Sequence, residues 1–313
     1  MAGEGSGYGK TILFGEHFVV YGVPALASAI GDSTTCIVES KDGTGYELND
    51  NRPEVPGYKK KKFDEQKESI KNIIDFMGIN LEDKALKITF GGDLVCASGV
   101  GASAASCVSL ARAINDEFNL GWDDTKINNA AYEGEKGYHG TPSGIDNTAS
   151  TFGGLVYFIR NLEGSSNTIE TIKLEKPIEL VIASSGMTAN TAEVVADVRK
   201  KKEEDPAWFE GIVKEYQEVI ESGREALEKM ELEKVGQLMN KNHKLLQDIT
   251  VSNDVLDKMV KLARDNGALG AKVTGTGRGG NIIALTPSSG LQNKVYNALK
   301  DAGHPAWKTL IGV

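Results

Sequence analysis

Residues 98–106 read Ser98-Gly99-Val100-Gly101-Ala102-Ser103-Ala104-Ala105-Ser106 and run directly into Cys107–Phe118, where apolar residues recur at helical spacing. A glycine and serine cluster therefore opens a helix. One reading is a phosphate cradle. Glycines let the backbone approach an anion, free N–H groups at the helix start point at it, and the helix dipole favours negative charge. On this reading Gly99, Val100, Gly101, Ala102, Ser103 and Ala104 cradle a phosphate, and the Ser103 hydroxyl serves a phosphate oxygen or Mg²⁺. The other reading is a helix of small residues packed closely against a neighbour. The cluster is not a Walker A loop, because no Gly-Lys-Ser/Thr follows, and it lacks the Rossmann spacing.

Outward from the cluster, both strand and helix patterns occur without strict alternation. Thr34–Glu39, Ala85–Phe90, Leu155–Arg160 and Ile178–Ser184 read as strands. Asp64–Met77, Ile127–Tyr138, Thr191–Lys202, Trp208–His243, Val255–Asn266 and Gln292–Ala302 carry helical periodicity. Lys41–Lys62 reads as turns and loop, and Thr141–Asn147 as a Pro/Gly turn. The mixture predicts an α+β fold rather than a doubly wound parallel sheet. With 313 residues the chain is long enough for two lobes. The boundary is expected near Glu175, dividing residues 1–174 from 175–313.

Composition narrows the partners. The formal charge of -9 argues against a nucleic-acid surface. The basic run Lys59–Lys62 lies beside Asp64, Glu65 and Glu68 and reads as a solvated loop or helix start. No apolar stretch approaches the ~20 residues needed to span a bilayer, and Met1–Gly9 has no signal-peptide pattern. Cys36, Cys96 and Cys107 show no metal-ligand spacing, so reduced thiols in a cytoplasmic protein are expected.

Two more clusters carry chemistry. Glu135–Asn147 reads Glu-Lys-Gly-Tyr-His-Gly-Thr-Pro-Ser-Gly-Ile-Asp-Asn and presents Asp146 on a short loop. An aspartate there caps a helix or stabilises a turn, or it serves as the carboxylate that phosphoryl transfer to a hydroxyl requires. Lys272–Asn281 reads Lys-Val-Thr-Gly-Thr-Gly-Arg-Gly-Gly-Asn. Four glycines in seven residues exceed the needs of a hairpin, which favours a functional loop over a tight turn.

Together with Gly9-Lys10-Thr11-Ile12-Leu13-Phe14-Gly15-Glu16-His17-Phe18-Val19-Val20-Tyr21-Gly22, these clusters resemble the ordered motifs of the GHMP kinases, and the resemblance runs from Lys10 to the end. It implies a two-lobe fold: an N-terminal lobe like ribosomal protein S5 domain 2, with a left-handed β-α-β crossover, and a ferredoxin-like C-terminal lobe with extra helices. It implies Asp146 as catalytic base with Lys10 as its partner. Ser103 and Glu135 are the implied Mg²⁺ ligands, and ATP the phosphoryl donor. The form Gly-Glu-His-x-Val-Val-x-Gly is similar to members acting on mevalonate. That makes Glu16, His17, Gly144, Thr188, Thr191 and Gly277 the implied acceptor-facing residues. The implied role is supply of isoprenoid precursors, by a monomer or homodimer. The rivals are a phosphomevalonate or sugar acceptor, or a non-catalytic ligand sensor. Arg278 departs from the family pattern by interrupting the glycine run of the third motif.

Overall fold

The computed structural model describes residues 2–96, 99–164, 167–187 and 189–313. The chain forms β1 (Gly3–Phe14), a 3-10 turn (Phe18–Tyr21), β2 (Ala25–Lys41), β3 (Gly45–Asp50), α1 (Tyr58–Lys61), α2 (Phe63–Phe76), β4 (Ala85–Gly92), α3 (Ala102–Glu117), α4 (Asp124–His139) and α5 (Ile145–Phe152). It continues through β5 (Leu155–Ile159), β6 (Thr168–Ile172), β7 (Ile178–Ser184), α6 (Thr191–Glu204), α7 (Pro206–Glu228), α8 (Leu232–Asp248), α9 (Asp254–Asp265), β8 (Gly270–Thr274), β9 (Asn281–Leu285), α10 (Ser289–Asp301) and β10 (Ala306–Ile311). The class is α+β, as the sequence predicts.

The contacts divide the chain into two units, Met1–Lys10 with Ala29–Gly153, and Thr11–Ser28 with Gly154–Val313. The boundary expected at Glu175 therefore falls inside the second unit. The reason is strand pairing: Ala25–Ser28, early in the sequence, pairs antiparallel with Leu155–Phe158 of β5, and β5 pairs with β6.

In the first unit β4 lies antiparallel to the end of β2 and parallel to β3. Its core gathers Ile70, Ile73 and Ile74 of α2, Val108, Leu110 and Ile114 of α3, Ile127 and Ala130 of α4, and Val38, Ile88 and Phe90 of the strands. The N-terminal strand is built to receive α3. A Cβ at Gly3, Gly5 or Gly7 would stand 2.3, 2.3 and 2.5 Å from the carbonyl oxygens of Ala113, Ser109 and Ala105. Glycine at every second strand position thus meets every fourth helix position. Two strand residues rise about 6.6 Å and four helical residues about 6.0 Å, so the two repeats stay in step. The far end of α3 is tied down too, with Glu117 accepting from the Gly3 and Ser40 backbones at 2.9 Å each.

In the second unit β10, β7, β9 and β8 run antiparallel in that order, each paired with the next. The helix expected over Trp208–His243 is two helices. Asp205 caps the first through Trp208 N at 3.0 Å, and the break falls at Met230, whose φ is +55°. No helix among the described residues is long and apolar enough to cross a membrane.

Candidate active site

In the first unit the strand-helix contact delivers Lys10 to the start of α3. Lys10 N donates to Val100 O at 2.9 Å, and the lysine stem crosses Gly101. Gly101 caps α3 with φ +72°, and a Cβ there would lie 2.6 Å from Lys10 Cγ. Any larger residue would both strain the backbone and displace the lysine. Beyond that point Lys10 Nζ forms an ion pair with Asp146 Oδ1 at 2.9 Å. Asp146 sits in the first turn of α5, capped by Gly144 at φ +93°, where a carboxylate complements the helix dipole. The segment read as a turn through Asn147 is thus helical from Ile145 onward.

Glu135 of α4 completes the group from below and is buried. The Ser103 hydroxyl hydrogen-bonds its carboxyl. Cys107 Sγ donates to Oε1 at 3.9 Å, and His139 Nε2 lies 3.8 Å from Oε2 and 3.5 Å from Ser103 Oγ. Burial, and then the negative charge of Asp146, raise the Glu135 carboxyl to about 8; the Ser103 hydroxyl and the Lys10 charge oppose this without cancelling it. With both carboxyls ionised, the single ammonium of Lys10 would leave the group short of positive charge. Hard oxygen donors in that state suit a divalent cation that brings further ligands with it. Among the described residues no three His, Cys, Asp or Glu side chains converge as a metal cage.

A second support lies behind the helix start. Arg52 is buried, chelates Asp50 at 2.9 and 2.6 Å, and donates to Ala102 O at 3.3 Å. Lys59 Nζ donates to the backbone oxygens of Asp50 and Arg52 at 3.0 and 2.9 Å. Tyr58, Lys59, Lys62, Gln66 and Tyr138 line a cleft against Ala102 and Ser103. The basic run, expected to be a solvated loop or helix start, forms α1 ahead of α2, and its Lys59 and Lys62 also line this cleft beside the cradle.

In the second unit the Gly15-Glu16-His17 turn packs on the third glycine motif. Lys272 of β8 and Glu16 form an ion pair with both side chains wholly buried. Burial lowers the Lys272 pKa against the raising effect of Glu16. His17 holds φ +63°. Burial lowers its pKa, so the ring is neutral, and Nε2 donates its proton to Thr276 O at 2.7 Å. The tautomer is thereby fixed, and Nδ1 keeps a lone pair with no hydrogen-bond partner among the described residues. Thr276 Oγ1 bonds Thr191 Oγ1 at 2.8 Å. Phe18 stacks on Tyr216 with ring centroids 4.1 Å apart, which holds the turn against α7.

The chain matches the family models described as GHMP kinases N terminal domain over residues 67–154 and GHMP kinases C terminal over residues 224–305. It is 31% identical to the mevalonate kinase of Thermococcus sibiricus, covering 94% of this chain and 91% of that relative. The Pyrococcus horikoshii mevalonate kinase is 32% identical with the same coverage. The chain belongs to the GHMP kinases.

Among solved structures, L. major mevalonate kinase in complex with R-mevalonate is 41% identical, with a TM-score of 0.95 over 99% of this chain and 95% of that one. The Methanococcus jannaschii mevalonate kinase is 26% identical with a TM-score of 0.80, over 99% and 98%. In this GHMP kinase the first unit brings Lys10, Ser103, Glu135, Gly144 and Asp146 together around the loop Gly99–Ala104. Glu16, His17, Thr191 and Gly277 belong to the second unit, linked there through Lys272 and Thr276. Thr188 lies outside the described residues. His139 and Lys272 lie in the clusters singled out by sequence but have no individual role there, and Arg52 lies in none. His139 follows Glu135 by one helical turn, which is a usable signal; nothing local marks Arg52, or the pairing of Lys272 with Glu16.

Proposed function

We propose that this GHMP kinase transfers the γ-phosphoryl group of ATP to the 5-hydroxyl of mevalonate, giving 5-phosphomevalonate and ADP. The observation that carries the reading is the Lys10–Asp146 ion pair beside the helix start that bears Ser103. The likeness to L. major mevalonate kinase, 41% identical, supports the acceptor.

The backbone N–H groups at the start of α3 bind the triphosphate, with the helix dipole behind them. Ser103 and Glu135 hold Mg²⁺, which neutralises phosphate charge when bound. Asp146 accepts the proton of the acceptor hydroxyl, and Lys10 fixes the direction of that carboxylate while its charge faces the phosphoryl oxygens. Loose phosphoryl transfer asks mainly for such positioning and charge. On the acceptor side, within the second unit, His17 Nδ1 offers a lone pair to a hydroxyl, beside Thr191 and the loop that carries Gly277; acceptor-facing roles for Glu16, Gly144 and Thr188 rest on the family resemblance alone. The three cysteines are free and buried, which fits work in a reducing cytoplasm.

A coupled ADP-release assay tests the reading with mevalonate, phosphomevalonate, galactose and homoserine as acceptors. Turnover is expected with mevalonate alone. Turnover confined to another acceptor would overturn the assignment.

A further inference from the structure

Arg278 interrupts the third glycine motif, and its surroundings show what it holds. Its backbone takes φ +51° and its N–H donates to Val251 O at 2.7 Å. Its guanidinium is divided between two elements. Nε and Nη2 donate to Thr250 O at 2.8 Å and Thr250 Oγ1 at 3.0 Å, in the turn between α8 and α9. Nη1 pairs with Asp197 of α6.

The same loop carries three further contacts. Thr276 O receives His17 Nε2 at 2.7 Å, Thr276 Oγ1 bonds Thr191 at 2.8 Å, and Gly280 N donates to Met187 O at 2.8 Å. Helix α6 is thus pinned to the loop at two points, Thr191 in its first turn and Asp197 further along. At 1.5 Å per residue these lie about 9 Å apart on the helix, enough to fix both its rotation and its axial position.

We propose that Arg278 is a positioning residue for the acceptor, a clamp that sets α6 and the glycine loop so that His17 and Thr191 face the acceptor together. The clamp rests on the proposed reading that these residues bind the acceptor. Nucleotide binding, which uses the first unit's loop, does not depend on it.

Steady-state kinetics on the full chain test this with Arg278→Gly, Asp197→Asn, the double variant and Arg278→Lys. Glycine suits the left-handed backbone at this position, so the first variant removes the clamp without adding backbone strain. Asp197 is exposed on α6, so its variant keeps the test open if the first fails to fold. Each single change is expected to raise the acceptor KM roughly 10-fold or more, since small misplacements of positioning groups reach ~100-fold effects. The ATP KM and kcat should stay within about twofold, the pattern of lost uniform binding. The double variant should be no worse than the weaker-binding single one, because both remove one link. Arg278→Lys should recover part of the loss by keeping a charge for Asp197. Equal rises in both KM values, or an unchanged acceptor KM, would overturn the clamp. A wild-type enzyme that turns over another acceptor overturns the mevalonate assignment instead, and the same split is then read on the acceptor it uses.

Discussion

The two units treat charge in opposite ways. In the second, Glu16 and Lys272 are fully buried and spend their charges on each other, while the Arg278 guanidinium is shared between Asp197 and Thr250. In the first, Lys10 and Asp146 are paired, yet Glu135 sits beside them with a carboxyl pushed up to about 8 by burial and a neighbouring carboxylate. One region is electrostatically closed and serves as scaffold. The other holds one carboxyl more than it has cations, kept protonated up to about 8, and on the proposed reading a cation-bearing nucleotide completes it. Motif membership alone does not separate these roles, since Glu16 and Asp146 both lie in motifs of the same family.

The sharpest way to break this contrast is Asp146→Asn. Removing a general base is expected to lower kcat by ~10²–10⁴-fold while nucleotide affinity holds. Retained turnover in a rapid-mixing assay would mean that the open region is not the reacting one. Next comes Lys272→Met, which strands the Glu16 charge in the core and should cost about 3–5 kcal/mol in denaturant unfolding. Adding Glu16→Gln should return much of that loss. If the double variant is as unstable as the single, the pair is not the closed unit described here.

A smaller effect is expected at the strand-helix contact. Gly5→Ala places a Cβ 2.3 Å from Ser109 O and should destabilise by about 1–3 kcal/mol. Gly211→Ala in α7, where a Cβ meets nothing within 4 Å, should instead be neutral or stabilising by about 0.5–1 kcal/mol. The gentlest signal is a slope with pH. In metal-free buffer below about 4.5 the folded and unfolded chains both hold the Glu135 proton; between there and about 8 the folded chain holds it more tightly. Raising the pH through this window therefore favours the unfolded chain, by at most about 1.4 kcal/mol per unit. Glu135→Gln should flatten that part of the stability profile, and a profile unchanged by the substitution would place the raised carboxyl elsewhere.

Much of this was legible in the residues. Helices such as α2 and α9 announce themselves by apolar periodicity, and Lys10, Ser103, Glu135 and Asp146 stand in recognisable clusters. Strand β1 escaped because its buried face is made of glycine. Hydrophobic alternation cannot register a face that has no side chains, although glycine at positions 3, 5, 7 and 9 is itself a period of two. Helix α5 escaped because eight residues rich in Thr, Ser and Asn follow a Pro/Gly turn and give too short a pattern. The partners Lys272 and Asp197 escaped for another reason: nothing local marks a lysine that will meet Glu16, or an exposed helical aspartate that will meet Arg278, 81 residues later.

The glycine strand also sets a schedule for synthesis. Gly3 and its hydrogen-bond partner Glu117 are 114 residues apart. At about 5–20 residues per second, β1 leaves the ribosome roughly 6–23 s before the end of the helix that covers it. During that wait its helix-facing side exposes little apolar side chain, so the uncovered face offers a chaperone or a neighbouring nascent chain little to grip.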